Sequence, residues 1–225
     1  MSTRTRIALL GCLLAGLALD TRAESASPSI QLFNGENLEG WAHHVVEPDV
    51  PIGDVWSVRD GLLVGRGEPL GYLYTGGTYT SFELVVEWRW APGTEPGNSG
   101  VLMRIGGEPK GIPQAYEAQL KSGEAGDLYG FWGQPLKGAP ERMHGVQGHE
   151  LLGDLSGVRK IEGNENPPGE WNRYEIRFDG PDLLVHINGK KVNEATGAAV
   201  VAGPIGFQSE GGEIHFRTIE LTPID

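Results

Sequence analysis

Four polar residues with spacing suited to chemistry lie close together in this chain: Glu87, Arg104, Glu117 and Gln119. Each interrupts a short apolar run, in FELVVEWRW (82–90), VLMRI (101–105) and AYEAQL (115–120). Alternate residues of a strand point to opposite faces, so Glu117 and Gln119 share one face while Tyr116, Ala118 and Leu120 take the other. A carboxylate and an amide two residues apart can accept and donate hydrogen bonds together, as carbohydrate hydroxyls require. The planar guanidinium of Arg104 suits a carboxylate or a carbonyl oxygen gaining negative charge. If the three runs pair as neighbours in one sheet, these groups gather on a single patch. Against this stand plainer readings: Glu87 as part of a solvated strand face with cross-strand ion pairs, and Arg104 as the partner of a neighbouring acid.

Other residues fit around that patch. Asn98-Ser99-Gly100 reads as turn chemistry whose amides could also reach a sugar hydroxyl. Trp132, Tyr129, Phe131 and Tyr72 lie in loops or at strand ends, where a ring could stack on a sugar or close the edge of the fold. His144 and His149, with Glu150 and Asp154 nearby, match no zinc-finger or helical metal spacing, so solvated loop histidines are the preferred reading and no metal ligand is assigned. The sequence contains no G-x-S-x-G, phosphate-binding loop or dinucleotide fingerprint.

The elements that must position these residues are short strands. Among the 225 residues are 35 Gly and 15 Pro, and every apolar run is bounded by Gly, Pro, Asn or Asp, so no amphipathic helix is expected. Trp56–Val64 reads as a hairpin turning at Asp60-Gly61, 71–75 as a strand, and 170–195 as strands turning near Pro181-Asp182 and at Asn188-Gly189. Pro204–Glu210 and Glu213–Leu221 read as a final pair. From Lys121 to Pro168 the pattern dissolves into a long loop insertion, which in a compact domain points to function. With no repeat and no interdomain linker, the expectation is one antiparallel all-β sandwich over residues 29–225.

Met1–Ala23 has the layout of a secretory signal: Arg4 and Arg6, the apolar Ile7–Leu19, and Thr21-Arg22-Ala23 before the cut. That apolar span of about 13 residues falls short of the roughly 20 a membrane helix needs. Residues 24–28 are a polar linker. Cys12, in Leu9-Leu10-Gly11-Cys12, faintly resembles a lipoprotein box. Ordinary cleavage is preferred and leaves no cysteine, hence no disulfide. It also removes three arginines and one aspartate, moving the formal charge from −12 to −14. A protein this acidic suits neither nucleic acid nor anionic membranes. The sequence carries no signal for an oligomeric state.

Taken together, LFNGENLEGW, W-x-V-x-DGLLVG, YLYT, FELVVEWRW, GNSGVLMR, YEAQL, GEWNRYEIR, INGKKV and GPIGFQ resemble the 3-keto-disaccharide hydrolase family across nearly all of residues 29–225. The resemblance implies a concanavalin A-like jelly-roll β-sandwich, exported, acting on glycosides whose C3 hydroxyl is oxidised to a ketone. It places polar site positions at Glu87, Arg104, Glu117 and Gln119, with Trp171, Asn172 and Gln208 beside them. The same broad fold includes laminarinase-like glucanases with a Glu-x-Asp-x-Glu strand; the corresponding stretch here is Glu117-Ala118-Gln119-Leu120-Lys121. That strand lacks the second carboxylate an ordinary glycosidase needs. A 3-keto sugar has an acidified C2 proton and can lose its C1 substituent by elimination, with water adding back. The assignment is Glu117 as base, Arg104 or a bound divalent metal as enolate stabiliser, and Glu87 or His144 as acid. Asn98, Gln119, Trp132, Trp171, Asn172 and Gln208 are expected to bind substrate. The alternative is a lectin-like carbohydrate-binding module without chemistry.

Overall fold

A computed structural model describes residues 27–224. The expected leader, Cys12 and most of the linker lie outside the described residues. Two antiparallel eight-stranded sheets form a concanavalin A-like jelly-roll sandwich. The first contains β1 (Ile30–Gln31), β3 (Trp56–Arg59), β4 (Leu62–Gly65), β6 (Phe82–Trp90), β12 (Asn172–Asp179), β13 (Asp182–Ile187), β14 (Lys190–Ala195) and β16 (Ile214–Pro223). The second contains β2 (Trp41–Val45), β5 (Gly71–Thr75), β7 (Gly100–Gly106), β8 (Gln114–Gln119), β9 (Leu128–Gly130), β10 (Met143–His149), β11 (Gly153–Val158) and β15 (Gly206–Ser209). Among the described residues, helix is confined to one turn of α-helix at Ile52–Val55 and a 3-10 turn at Pro140–Arg142. No helix among the described residues is long and apolar enough to cross a membrane.

The core lies between the sheets. From β6 come Phe82, Leu84, Val86, Trp88 and Trp90, all at most 1% exposed; Val101, Met103, Tyr116, Ala118 and Phe207 meet them from the second sheet. Strict alternation on β6 and β12 buries one face and leaves the other to charged residues, the pattern of an antiparallel sheet with one wet side. The Asp60-Gly61 and Asn188-Gly189 turns both take positive φ, as the two-residue hairpin turn demands.

Three sequence expectations are corrected. The runs 82–90, 101–105 and 115–120 are not neighbours in one sheet. Strand β6 pairs with β12 and β16, whereas β7 and β8 pair with each other in the opposite sheet. The final two segments are not a pair either: β15 joins β5 and β7, and β16 joins β4 and β6. Alternation marks a strand but not its partner, and jelly-roll connections repeatedly change sheets. Third, Lys121–Pro168 contains β9, β10 and β11. Their glycines erase any apolar period, and pairing onto β8 extends the sheet instead.

Candidate active site

Register places the functional side chains. On the outer face of the second sheet, His144 stands opposite Gly157, Gly157 opposite Tyr129, Tyr129 opposite Glu117, and Glu117 opposite Leu102. One cross-strand row therefore carries an imidazole, a phenol and a carboxylate over β10, β11, β9 and β8. Gln119 lies two residues along, opposite Gly100. Gln208 lies on the same face, because Gly206 pairs with Leu102.

Two glycines let this row lie flat. A Cβ on Gly100 would come within 1.8 Å of Glu117 Oε1, and one on Gly157 within 2.4 Å of His144 Cε1. The carboxylate thus rests against the bare backbone of β7, and the imidazole against that of β11. The His144 ring also meets Tyr129 edge-on, with centroids 5.5 Å apart.

These groups line a cleft of about 420 Å³, with Asn98, Lys121, Glu124, Glu210 and the apolar Ile112, Phe131, Val146, Leu152 and Leu155 completing its walls. Larger depressions of about 610 and 680 Å³ occur elsewhere. The first is lined by exposed charges already paired, as Arg177 with Asp179 at 2.7 Å and Lys191 with Glu194 at 2.7 Å.

The cleft differs in its unspent polar atoms. Glu117 Oε1, Gln208 Oε1, Asn98 Oδ1 and His144 Nδ1 are buried without a partner, and Glu117 is the only carboxylate so placed among the described residues. Buried polar groups are normally paired, so four orphans around one hollow mark a place where a ligand's hydroxyls would complete the bonding. The remaining orphans, such as the indole nitrogens of Trp56, Trp88 and Trp90, are spread through other parts of the fold.

Glu117 is 2% exposed. Burial is the main force pushing its carboxyl well above the usual range, and the nearby charges of Glu210 and Asp127 push the same way. No hydrogen bond to Oε1 opposes them. The protonated form of Glu117 is thereby favoured.

Among the residues expected from sequence, Glu117, Gln119, Asn98, His144 and Gln208 converge on the cleft. Within it, Gln119 Oε1 is occupied by the amides of Leu120 and Lys121, both at 2.9 Å.

The other five lie elsewhere. A bulge between Met103 and Gly106, with Arg104 at φ +53°, breaks the alternation that would have aimed Arg104 toward the Leu102 face. Its guanidinium instead sits 3.5 Å over the Phe178 ring of the opposite sheet and donates to the carbonyls of Thr80, Ala199 (2.7 Å) and Gly180 (2.8 Å). Glu87 faces outward from the first sheet, accepting from Arg217 Nε at 2.9 Å and Thr218 Oγ1 at 2.6 Å. Both sheets, about 10 Å apart, separate it from the cleft. Trp171 belongs to that same remote surface, with Arg89 and Arg217 over its ring at 4.6 and 4.4 Å. Asn172 Oδ1 accepts from Asn166 N and Asn188 Nδ2, which ties two loops together. Trp132 donates to Ile112 O at 2.8 Å beneath Lys110 and bounds the region without lining the cleft.

Sequence reasoning missed Glu210, Lys121 and Glu124. Glu210 follows the GPIGFQ block by two residues, which was the available signal. Among the described residues, no cluster of three or more His, Cys, Asp or Glu side chains is arranged to hold a metal ion.

Comparison with known proteins adds a family and a fold. The sequence profile of a family described as the 3-keto-alpha-glucoside-1,2-lyase-like domain matches residues 28–222. No match was found among curated proteins. Among solved structures, a proposed glycosyl hydrolase from Parabacteroides distasonis is 22% identical, covering 88% of this chain and 94% of that one with a TM-score of 0.64. The carbohydrate-binding module CBM66 from Bacillus subtilis is 12% identical, covering 82% and 96% with a TM-score of 0.59. The Bacillus licheniformis β-glucanase is 10% identical, covering 89% and 100% with a TM-score of 0.53. At these identities the likeness is one of fold.

Proposed function

This chain belongs to the 3-keto-alpha-glucoside-1,2-lyase-like domain family, a carbohydrate-active, glycosyl hydrolase-like family, and we propose that it cleaves the glycosidic bond of 3-keto-glucosides by elimination followed by hydration. We place this activity outside the cytoplasm, on the leader-like layout of residues 1–23.

One observation carries the reading: Glu117 is a buried carboxyl without a fixed partner, set among unpaired side-chain atoms of Asn98, Gln208 and His144. A carboxyl whose burial favours the protonated form is equipped to give a proton to a departing glycosidic oxygen. That reverses the base role expected from sequence, because a buried carboxyl oxygen without a donor favours the protonated form. The enolate oxygen cannot be served by Arg104, which is spent on backbone carbonyls. The donors facing the cleft are the Gln208 amide, the His144 imidazole and the Lys121 ammonium.

The test compares a plain disaccharide with its 3-keto counterpart, following binding by calorimetry and products by mass spectrometry. Cleavage restricted to the 3-keto sugar is expected. Cleavage of the plain sugar would mean ordinary glycosidase chemistry, and binding of either sugar without turnover would mean a lectin-like module.

A further inference from the structure

Glu210 is a second carboxyl on the wall of the Glu117 cleft; burial is the main influence raising both, but Glu210 also has neighbours that favour its charge. It leaves β15 on a segment held firmly by the Asn98-Ser99 turn. Asn98 N donates to Gly211 O at 2.9 Å and Ser99 Oγ donates to Gln208 O at 2.8 Å, which sets Asn98 and Glu210 together on the cleft wall. Lys121, in the same cleft wall, supplies a neighbouring positive charge. Glu117 Oε1 has no donor on it.

Building on the 3-keto reading above, we propose that Glu210 is the catalytic base that removes the C2 proton, while Glu117 acts opposite it as the acid. Two carboxyls in one low-dielectric hollow share protons unequally, and the ionised form settles where donors and cations are. Burial, the largest influence, leaves the Glu210 carboxyl above its ordinary value, and Asn98 and Lys121 offset only part of that rise. A carboxyl so raised, with a cation beside it, suits a base that must hold a proton once it has taken one.

The proton and electron count closes. The Glu210 carboxylate takes the C2 proton, and the C–H pair becomes the C2–C3 double bond of an enolate. When the C3 carbonyl re-forms, that pair moves to make a C1–C2 double bond. The C1–oxygen bond breaks, and the departing oxygen takes the proton of Glu117. In hydration, ionised Glu117 removes a proton from water as its oxygen bonds C1, and Glu210 returns its proton to C2. Both carboxyls end as they began, and the net reaction is hydrolysis.

The roles separate in deuterium oxide. Wild type, Glu210→Gln, Glu210→Asp and Glu117→Gln are given a 3-keto disaccharide or a 3-keto glucoside with an acidic phenol leaving group. Cleavage and C2 deuterium uptake are followed by mass spectrometry, with enzyme-free controls. Loss of a general base or acid costs about 100- to 10,000-fold. Glu210→Gln is expected to lose both C2 labelling and cleavage of both substrates by that order, with Glu210→Asp in between. Glu117→Gln is expected to lose disaccharide cleavage by the same order. It keeps C2 labelling of the uncleaved sugar and recovers most activity on the phenol glucoside, which needs no acid.

Near-ultraviolet circular dichroism establishes that each variant is folded, and Glu210→Asp, which keeps the charge, serves if the amide variant is not. A folded Glu210→Gln that still labels C2 while wild type cleaves the 3-keto sugar overturns the Glu210 assignment alone. A wild-type protein that neither labels nor cleaves 3-keto sugars overturns the substrate reading and this assignment with it.

Discussion

Arg104 and Glu117 occupy neighbouring strands of the same sheet and are 1% and 2% exposed, yet their charges are treated in opposite ways. Arg104 donates to three backbone carbonyls and stacks on Phe178, and although burial lowers its pKa to about 10 it stays charged at neutral pH. Its loop contacts from Thr80, Gly180 and Ala199 converge on one guanidinium, so the fold needs the charge where it is. Glu117 has an unpaired oxygen and two acidic neighbours, so its surroundings favour the protonated form. A buried charge whose bonds are all spent holds a structure together. A buried group with bonds to spare is available to a ligand.

The largest effect that would sharpen this contrast concerns Glu117. Glu117→Gln should lower disaccharide cleavage by about 100- to 10,000-fold, measured as kcat on the 3-keto substrate. The same variant should be more stable than wild type at alkaline pH. Because the folded carboxyl titrates above its unfolded counterpart, the stability tied to its protonated form is complete below the ordinary carboxylate range. It is lost as pH rises through the raised value. Each unit of difference corresponds to about 1.4 kcal/mol, so denaturation curves of the two proteins should diverge with rising pH. Parallel curves would mean that Glu117 is already ionised in the native protein.

Arg104→Met should show the reverse pattern. Leaving three carbonyl groups without their donor should cost about 3 kcal/mol or more, read from urea denaturation. The folded fraction should turn over normally. A fall in kcat without loss of stability would return Arg104 to the chemistry.

Gly100→Ala tests the support under Glu117. The new Cβ would contact Oε1 at 1.8 Å, so the carboxyl must shift. A displacement of about 1 Å costs roughly 100-fold in rate, larger than any accompanying change in substrate affinity from titration calorimetry. Unchanged kinetics would show that the carboxyl's seat on β7 does not matter.

Glu87→Gln should be the mildest. Its ion pair with Arg217 is partly exposed and contributes less than about 1 kcal/mol. Hydrogen bonds from Arg217 are the main force holding the Glu87 carboxyl below its usual range. The contribution is therefore present above the unfolded carboxylate range and fades as pH falls through the depressed value. Turnover should match wild type; a loss would contradict its placement on the far sheet.

Much of this was legible beforehand. Glu117, Gln119, Asn98, Gln208 and His144 were all singled out from residue type and motif position, and all five reach the cleft. Glu87, Arg104, Trp171, Asn172 and Trp132 look equally functional as letters in a sequence. They are separated from the cleft by which sheet a strand joins, by one bulge, and by partners remote in the chain. Glu210 escaped notice because a glutamate beside two glycines resembles turn chemistry until Asn98 and Lys121 are seen against it.

The sequence by itself determined the all-β class, the strand positions, and a polar pair on β8 that one strand's alternation must place on a single face. Tertiary structure decided the rest. It put β6 in the opposite sheet, turned Arg104 inward through a positive φ, and brought Glu210 from about ninety residues away into the hollow with Glu117. The physical reason is one of range. A strand's period follows from covalent geometry and is local, whereas burial, donor supply and neighbouring charge belong to the assembled sandwich, and they raise the Glu117 carboxyl while holding that of Glu87 down.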